Sequence, residues 1–281
     1  VLGLLPSSLT VGNALCGFAA LAAASGTLGG SPLGTLLGLD ALTTAAVFIY
    51  LGMLFDMLDG PVAKALRRTS DFGAELDSLA DVVTFGVAPA FLLLRFADEM
   101  LLPLQAFTTL PVDLLCWLAA LVYLAGTALR LARFNVQRGV GGTTHFTGLP
   151  SPGGALVAVA SISLCHLLLS TQMSSLGTSP GFLLAPVAVF AAGFLMVSHF
   201  PYRRLVSKVA RGGSLVVTVL QVLLVLGGVL ASLVWAPAKI ALALGALLYA
   251  VSGPVRWLFV RYMHHSSQPD LGAAAVPQAQ V

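Results

Sequence analysis

Apolar runs of about twenty residues, the length an α-helix needs to cross the hydrocarbon core of a bilayer, recur from one end of this chain to the other. Breaks at Gly, Pro and charge clusters divide them into eight, over 9–27, 41–66, 75–95, 112–136, 151–170, 181–199, 214–233 and 238–260. Composition excludes the soluble alternative. Of the 281 residues 58% are hydrophobic and 9% charged, where a soluble domain carries about 25% charged. The chain is therefore expected to be an all-α polytopic membrane protein. A net charge of +3 without a basic tract offers no surface for nucleic acid. Cys16, Cys116 and Cys165 lie inside apolar runs without metal-knuckle spacing and read as small packing residues.

Basic residues orient the spans. Twelve of the fourteen fall on one side: Lys64, Arg67 and Arg68; Arg130, Arg133 and Arg138; Arg203, Arg204, Lys208 and Arg211; Arg256 and Arg261. Arg95 and Lys239 fall on the other. By the positive-inside rule both termini are expected in the cytoplasm, with the protein in the plasma membrane, and Trp235 and Trp257 suit interface anchors at the ends of the last hairpin. The first run is rich in Ala and Gly and holds Thr10 and Asn13, so it is expected inside the bundle. It is read as a span rather than a leader, having no basic segment or cleavage site before it. The stretch from His264 to Val281 has the composition of a disordered tail.

Four aspartates stand where charge is costly: Asp56 and Asp59 in LFDMLDGPVAK, and Asp77 and Asp81 in GAELDSLADVVTFG. One charge at the bilayer centre costs about 2.5–3.5 kcal/mol on insertion scales, so a cationic partner is required. Asp56, Asp59, Gly60 and Ala63 follow i, i+3, i+4, i+7, and Gly73, Asp77 and Asp81 follow i, i+4, i+8, which puts each set on one helix face. Asp59 lies about 10 Å from the inner end of span two, and Asp77 and Asp81 about 3–9 Å into span three, at 1.5 Å per residue. If the two spans are antiparallel neighbours, the carboxylates converge near the inner interface. An all-oxygen set with no nearby His or Cys suits Mg²⁺, Mn²⁺ or Ca²⁺ rather than zinc. Two divalent ions balance four carboxylates, and paired metals serve phosphoryl displacement. Gly60 and Gly73 either let a ligand lie against backbone or pack helices together. Pro61 denies the Met57 carbonyl its helical partner, a defect of structural or functional origin.

The string Asp56-x2-Asp59-Gly60-x2-Ala63-Lys64-x8-Gly73-x3-Asp77-x3-Asp81 resembles the signature of the CDP-alcohol phosphotransferases, D-x2-D-G-x2-A-R-x8-G-x3-D-x3-D, with Lys64 in the place of the family's Arg. That exchange keeps the charge and loses a planar two-pronged phosphate contact. Within the family the segments LPSSLTVGNALCGF, ELDSLADVVTFGVAPA, ALRLARFN and FTGLPSPGGA are most similar to the serine-accepting branch. The resemblance covers about the first 200 residues. It implies a six-helix core over 1–200, a basic loop and two additional spans over 201–263, and a tail over 264–281. It also implies that the hydroxyl of L-serine attacks the β-phosphorus of CDP-diacylglycerol and releases CMP. By the same resemblance Asp56, Asp59, Asp77 and Asp81 hold two ions, Mg²⁺ or Mn²⁺. Asp81 is also the general base, and Gly60, Ala63, Lys64 and Gly73 contact the nucleotide. The family is commonly dimeric, which implies a homodimer among membrane lipids.

Other polar residues admit two readings. Arg130 and Arg133, three apart near Asn135, are either positive-inside anchors or a fork for a lipid phosphate or the serine carboxylate. Thr10 and Asn13 either reach the nucleotide or bond between helices. Arg203, Arg204, Lys208 and Arg211 read as topology and headgroup contacts, and His145 as a loop donor. His166 and His199 read as packing or interface residues, and Asp71 and Glu75 as helix N-terminal acids. Two alternatives to serine transfer are weighed. A sibling enzyme taking glycerol phosphate or inositol phosphate calls for more basic residues around the pocket. A cation transporter calls for sites near the midplane of repeated halves, whereas these acids lie within 26 residues near one face with no second copy.

Overall fold

The computed structural model describes residues 5–26, 32–65, 71–102, 111–139, 148–171, 183–202, 227–228, 231 and 235–266. Their main helices are α1 (Leu5–Ser25), α2 (Pro32–Leu37), α3 (Ala41–Ala65), α4 (Asp71–Asp81), α5 (Ala88–Phe96), α6 (Val112–Gly139), α7 (Ser151–Thr171), α8 (Leu184–Val197) and α9 (Ala236–Ser266). Wider π-helical turns at Val82–Val87 and Ala97–Leu101 make α4 and α5 one continuous rod. Among the described residues six stretches are long and apolar enough to cross a membrane: Ser8–Ser25, Ala41–Gly60, Asp71–Leu101, Val112–Val136, Ser151–Ser170 and Ala236–Met263. The chain is an integral membrane protein of all-α architecture.

Several expectations change. The sixth predicted span is α8, whose 14 residues reach only about 21 Å at 1.5 Å per residue, short of a core about 30 Å thick. Span three does not stop at Arg95. There Arg95 donates through Nε to the Ala24 carbonyl at 2.8 Å, pairs with Asp98 at 3.7 Å and bonds Glu99, so its charge is answered within the helix end and the helix runs on to Leu101. Span one buries Cys16, Ala20, Ala23 and Ala24 but turns Val11, Leu15 and Phe18 outward, one stripe at helical spacing, so it has a lipid face as well as a packed one. The predicted span at 214–233 lies almost wholly outside the described residues. Arg67, Arg68, His145 and the basic cluster at 203–211 also lie outside them, as do the side chains of Ala63, Lys64 and Arg138. The predicted tail begins helically, since α9 extends to Ser266, and the remainder lies outside the described residues. All three cysteines are buried and none forms a disulfide, as their apolar surroundings suggest.

Small residues set the packing. The polar contacts run Thr10 to Asp59, Asn13 to Asp81 and Ala24 to Arg95, so α1 lies antiparallel to α3 and parallel to the α4–α5 rod. Between α6 and α8 the backbones touch at two glycines. A Cβ on Gly126 would lie 2.3 Å from the Gly193 carbonyl oxygen, and one on Gly193 2.6 Å from the Tyr123 Cα. Such close approach suits a bilayer, where association rests on van der Waals contact rather than expulsion of water. α9 docks on α7 and contains Pro254. The proline removes the hydrogen bond that the Ala250 carbonyl would accept; the Tyr202 hydroxyl supplies one instead at 2.7 Å, its ring seated on Gly253.

Candidate active site

The acidic residues gather at one end of the bundle, where α3 finishes and α4 starts. Asp56, Asp59 and Asp77 each present an oxygen there, all three within 4.8 Å of one another. Two oxygens bound across one hard cation at about 2.1–2.4 Å are about 4.2–4.8 Å apart, so the spacing and the all-oxygen donor set fit a divalent ion of the Mg²⁺ or Mn²⁺ kind. Asp81 sits one turn deeper, 7% exposed, within electrostatic reach of Asp56, Asp77 and Asp59. Its oxygen is held by a buried amide: Asn13 donates through Nδ2 to Oδ1 at 3.1 Å. Thr10 donates to Asp59 Oδ2 at 3.3 Å. Thr10 and Asn13 of span one thus meet two of the four carboxylates.

Around this cluster the remaining candidates divide. Gly60 is exposed, and a Cβ there would meet no atom of the described residues within 4 Å. Among the described residues no helix packs on it, and the open backbone beside Asp59 leaves room for a ligand. Gly73 is on α4 one turn before Asp77, and Ala63 and Lys64 are on the last turn of α3. Arg130 donates to the Ser151 hydroxyl at 2.6 Å, tying α6 to the start of α7, and its charge reaches Asp56. Arg133 is partly exposed one turn further on. Asn135 turns to α4, where it donates to Ser78 Oγ at 3.0 Å and to Glu75 Oε2 at 3.4 Å.

Three features escape the sequence reading. Ser151, in the Pro-Ser-Pro of FTGLPSPGG, is fully buried and holds Arg130. Ser78, beside Asp77, ties α4 to α6. The π-helical turn begins at the residue after Asp81, and insertions of this kind are frequent at functional sites. Its displaced polar groups find distant partners: Tyr123 Oη donates to the Phe85 carbonyl at 2.7 Å, and Thr84 Oγ1 donates to the Asn13 carbonyl at 2.8 Å. Gly86 and Pro89 in VTFGVAPA were the available signal of a departure from α geometry.

Comparison with known proteins points to one family. A family model described as CDP-alcohol phosphatidyltransferase matches residues 3–190 and so ends inside α8, leaving α9 beyond it. A CDP-diacylglycerol--serine O-phosphatidyltransferase of Methanocaldococcus jannaschii is 36% identical over 171 residues, covering 61% of this chain and 69% of the relative. One of the same name from Helicobacter pylori is 32% identical over 216 residues, 77% of this chain and 80% of the relative. An archaetidylserine synthase of Methanothermobacter thermautotrophicus is 37% identical over 175 residues, 61% of this chain and 64% of the relative.

Proposed function

The chain belongs to the CDP-alcohol phosphatidyltransferase family, and on that premise we propose that it transfers the phosphatidyl group of CDP-diacylglycerol to the hydroxyl of L-serine, yielding phosphatidylserine and CMP. The observation that carries this reading is the trio Asp56, Asp59 and Asp77 with oxygens within 4.8 Å, on the spacing that the family motif requires. The names of the relatives add serine as acceptor. Two divalent ions, Mg²⁺ or Mn²⁺, held by the four aspartates would neutralise the diphosphate and the departing CMP.

The rest falls to the protein's own side chains. Asp81 accepts the proton of the serine hydroxyl as the new O–P bond forms and the bond from phosphorus to CMP breaks. A carboxylate is a weak base for an alcohol, so placing the two reactants supplies much of the acceleration. Gly60, Ala63, Lys64 and Gly73 hold the nucleotide; Arg130 and Arg133, with Asn135, bind the lipid phosphate or the serine carboxylate. The reaction takes place at the cytoplasmic face of the plasma membrane, in a homodimer with both termini on that side. The test is to offer purified protein CDP-diacylglycerol with serine, glycerol phosphate or inositol phosphate and follow CMP release. Release that depends on serine supports the reading, and release with a phosphorylated acceptor alone replaces it by the sibling activity.

A further inference from the structure

Asn13 is fully buried, and its amide is engaged on the nitrogen side. Nδ2 donates to Asp81 Oδ1 at 3.1 Å, and Oδ1 lies over the backbone of α3, 2.9 Å from where a Cβ on Gly52 would be. Exchanging the amide's oxygen and nitrogen would set a carbonyl oxygen against a carboxylate, so the donor orientation is the stable one. The backbone of Asn13 is fixed as well, because its carbonyl accepts from Thr84 Oγ1 at 2.8 Å. Thr84 in turn is wedged between α1 and α3. A Cβ on Gly17 would lie 2.6 Å from its Oγ1 and one on Gly52 2.5 Å from its Cγ2. Three helices are thus clamped directly on the membrane side of the carboxylate cluster.

We propose that Asn13 is a positioning residue of the transfer reaction: its amide engages one oxygen of Asp81 and leaves the other to face the incoming alcohol. The proposal rests on the reading of Asp81 as the base. A carboxylate on a two-bond side chain otherwise rotates between rotamers, and a base off its line loses rate without loss of ground-state binding. Thr84 supports Asn13 from behind, and the glycines at 17 and 52 make the space for that contact.

The experiment compares Asn13→Ala, Asn13→Leu and Thr84→Val in the full chain, measuring kcat, the serine KM, thermal stability and, without serine, CDP-lipid affinity by calorimetry. Asn13→Ala and Asn13→Leu are expected to lower kcat at least tenfold alike, with CDP-lipid affinity within twofold of the parent. Thr84→Val, of equal size, is expected to lower kcat by a smaller factor in the same pattern. Recovery of kcat in Asn13→Leu would mean that Asn13 only fills space, and a loss confined to CDP-lipid affinity would make it a nucleotide contact; either overturns the proposal. If neither Asn13 variant folds, Thr84→Val decides alone, an unchanged kcat overturning the proposal. Asp81→Asn separates the two readings. Turnover retained there removes the base itself, whereas turnover lost there and kept in the Asn13 variants removes only the positioning role.

Discussion

At the end of the bundle away from the site, acids are met by other parts of the protein. Asp40 accepts from both the amide and the hydroxyl of Thr43 at 2.8 Å, capping α3, and Arg95 is shared between Asp98 and Glu99. At the other end of the same two helices Asp56, Asp59 and Asp77 point at one another. Both ends belong to spans of ordinary hydropathy, yet one resolves its charge locally and the other concentrates it. Concentrated like charge opposes folding, so its presence marks a place kept for something other than stability. Substitution should therefore act on different quantities at the two ends: on turnover at the carboxylate cluster, on stability at the caps.

Chelation bears on this contrast most heavily. EDTA is expected to reduce CMP release by about a thousandfold or more, equivalent to about 4 kcal/mol of barrier, and Mg²⁺ or Mn²⁺ to restore it; full turnover in chelator would remove the metal reading. Next come the two kinds of aspartate. Asp56→Asn should weaken metal and CDP-lipid binding together. Asp81→Asn keeps the size of the side chain but loses the proton acceptor, and should bind CDP-lipid while losing transfer to serine. Equal losses of affinity in the two variants would make Asp81 a ligand rather than a base. Lys64→Ala should weaken CDP-lipid binding about tenfold, or about 1.4 kcal/mol, while Lys64→Arg keeps or improves activity by restoring the two-pronged contact. A folded but inactive Arg variant would show a site shaped around lysine.

The smallest effect belongs to the far end. Asp40→Ala removes the cap of α3 and should lower stability by about 1 kcal/mol, read in a melting experiment, with kcat and KM unchanged. Burial acts to raise the pKa of Asp40, but its bonds from Thr43 and the charge of His166 hold it below the ordinary 3.8. A depressed folded value means that the contribution is whole above the unfolded pKa and is lost as pH falls through the folded one. A fall in kcat from this substitution would break the comparison, since it would tie the two ends of α3 together energetically.

Sequence alone determined six membrane-spanning helices among the described residues and the faces that bear the carboxylates. Both are local: twenty apolar residues hide their own backbone polarity in a helix wherever they stand, and residues at i, i+3, i+4 and i+7 share a face whatever packs against it. The motif joining Asp56 to Asp81 was legible for the same reason, all of it lying within 26 residues. Only the tertiary structure decided what those faces meet. The bonds from Asn13 to Asp81, from Thr84 to Asn13 and from Ser78 to Asn135 join residues 68, 71 and 57 positions apart. No spacing rule relates such pairs, because they depend on which helices pack together and how closely glycines such as Gly52 and Gly193 let their backbones approach. The same holds for Arg130, whose two readings were open in sequence and whose guanidinium the fold places on Ser151. It holds also for the continuation of the third span past Arg95, because a charge ends a membrane helix only if nothing nearby answers it, and here Ala24, Asp98 and Glu99 do.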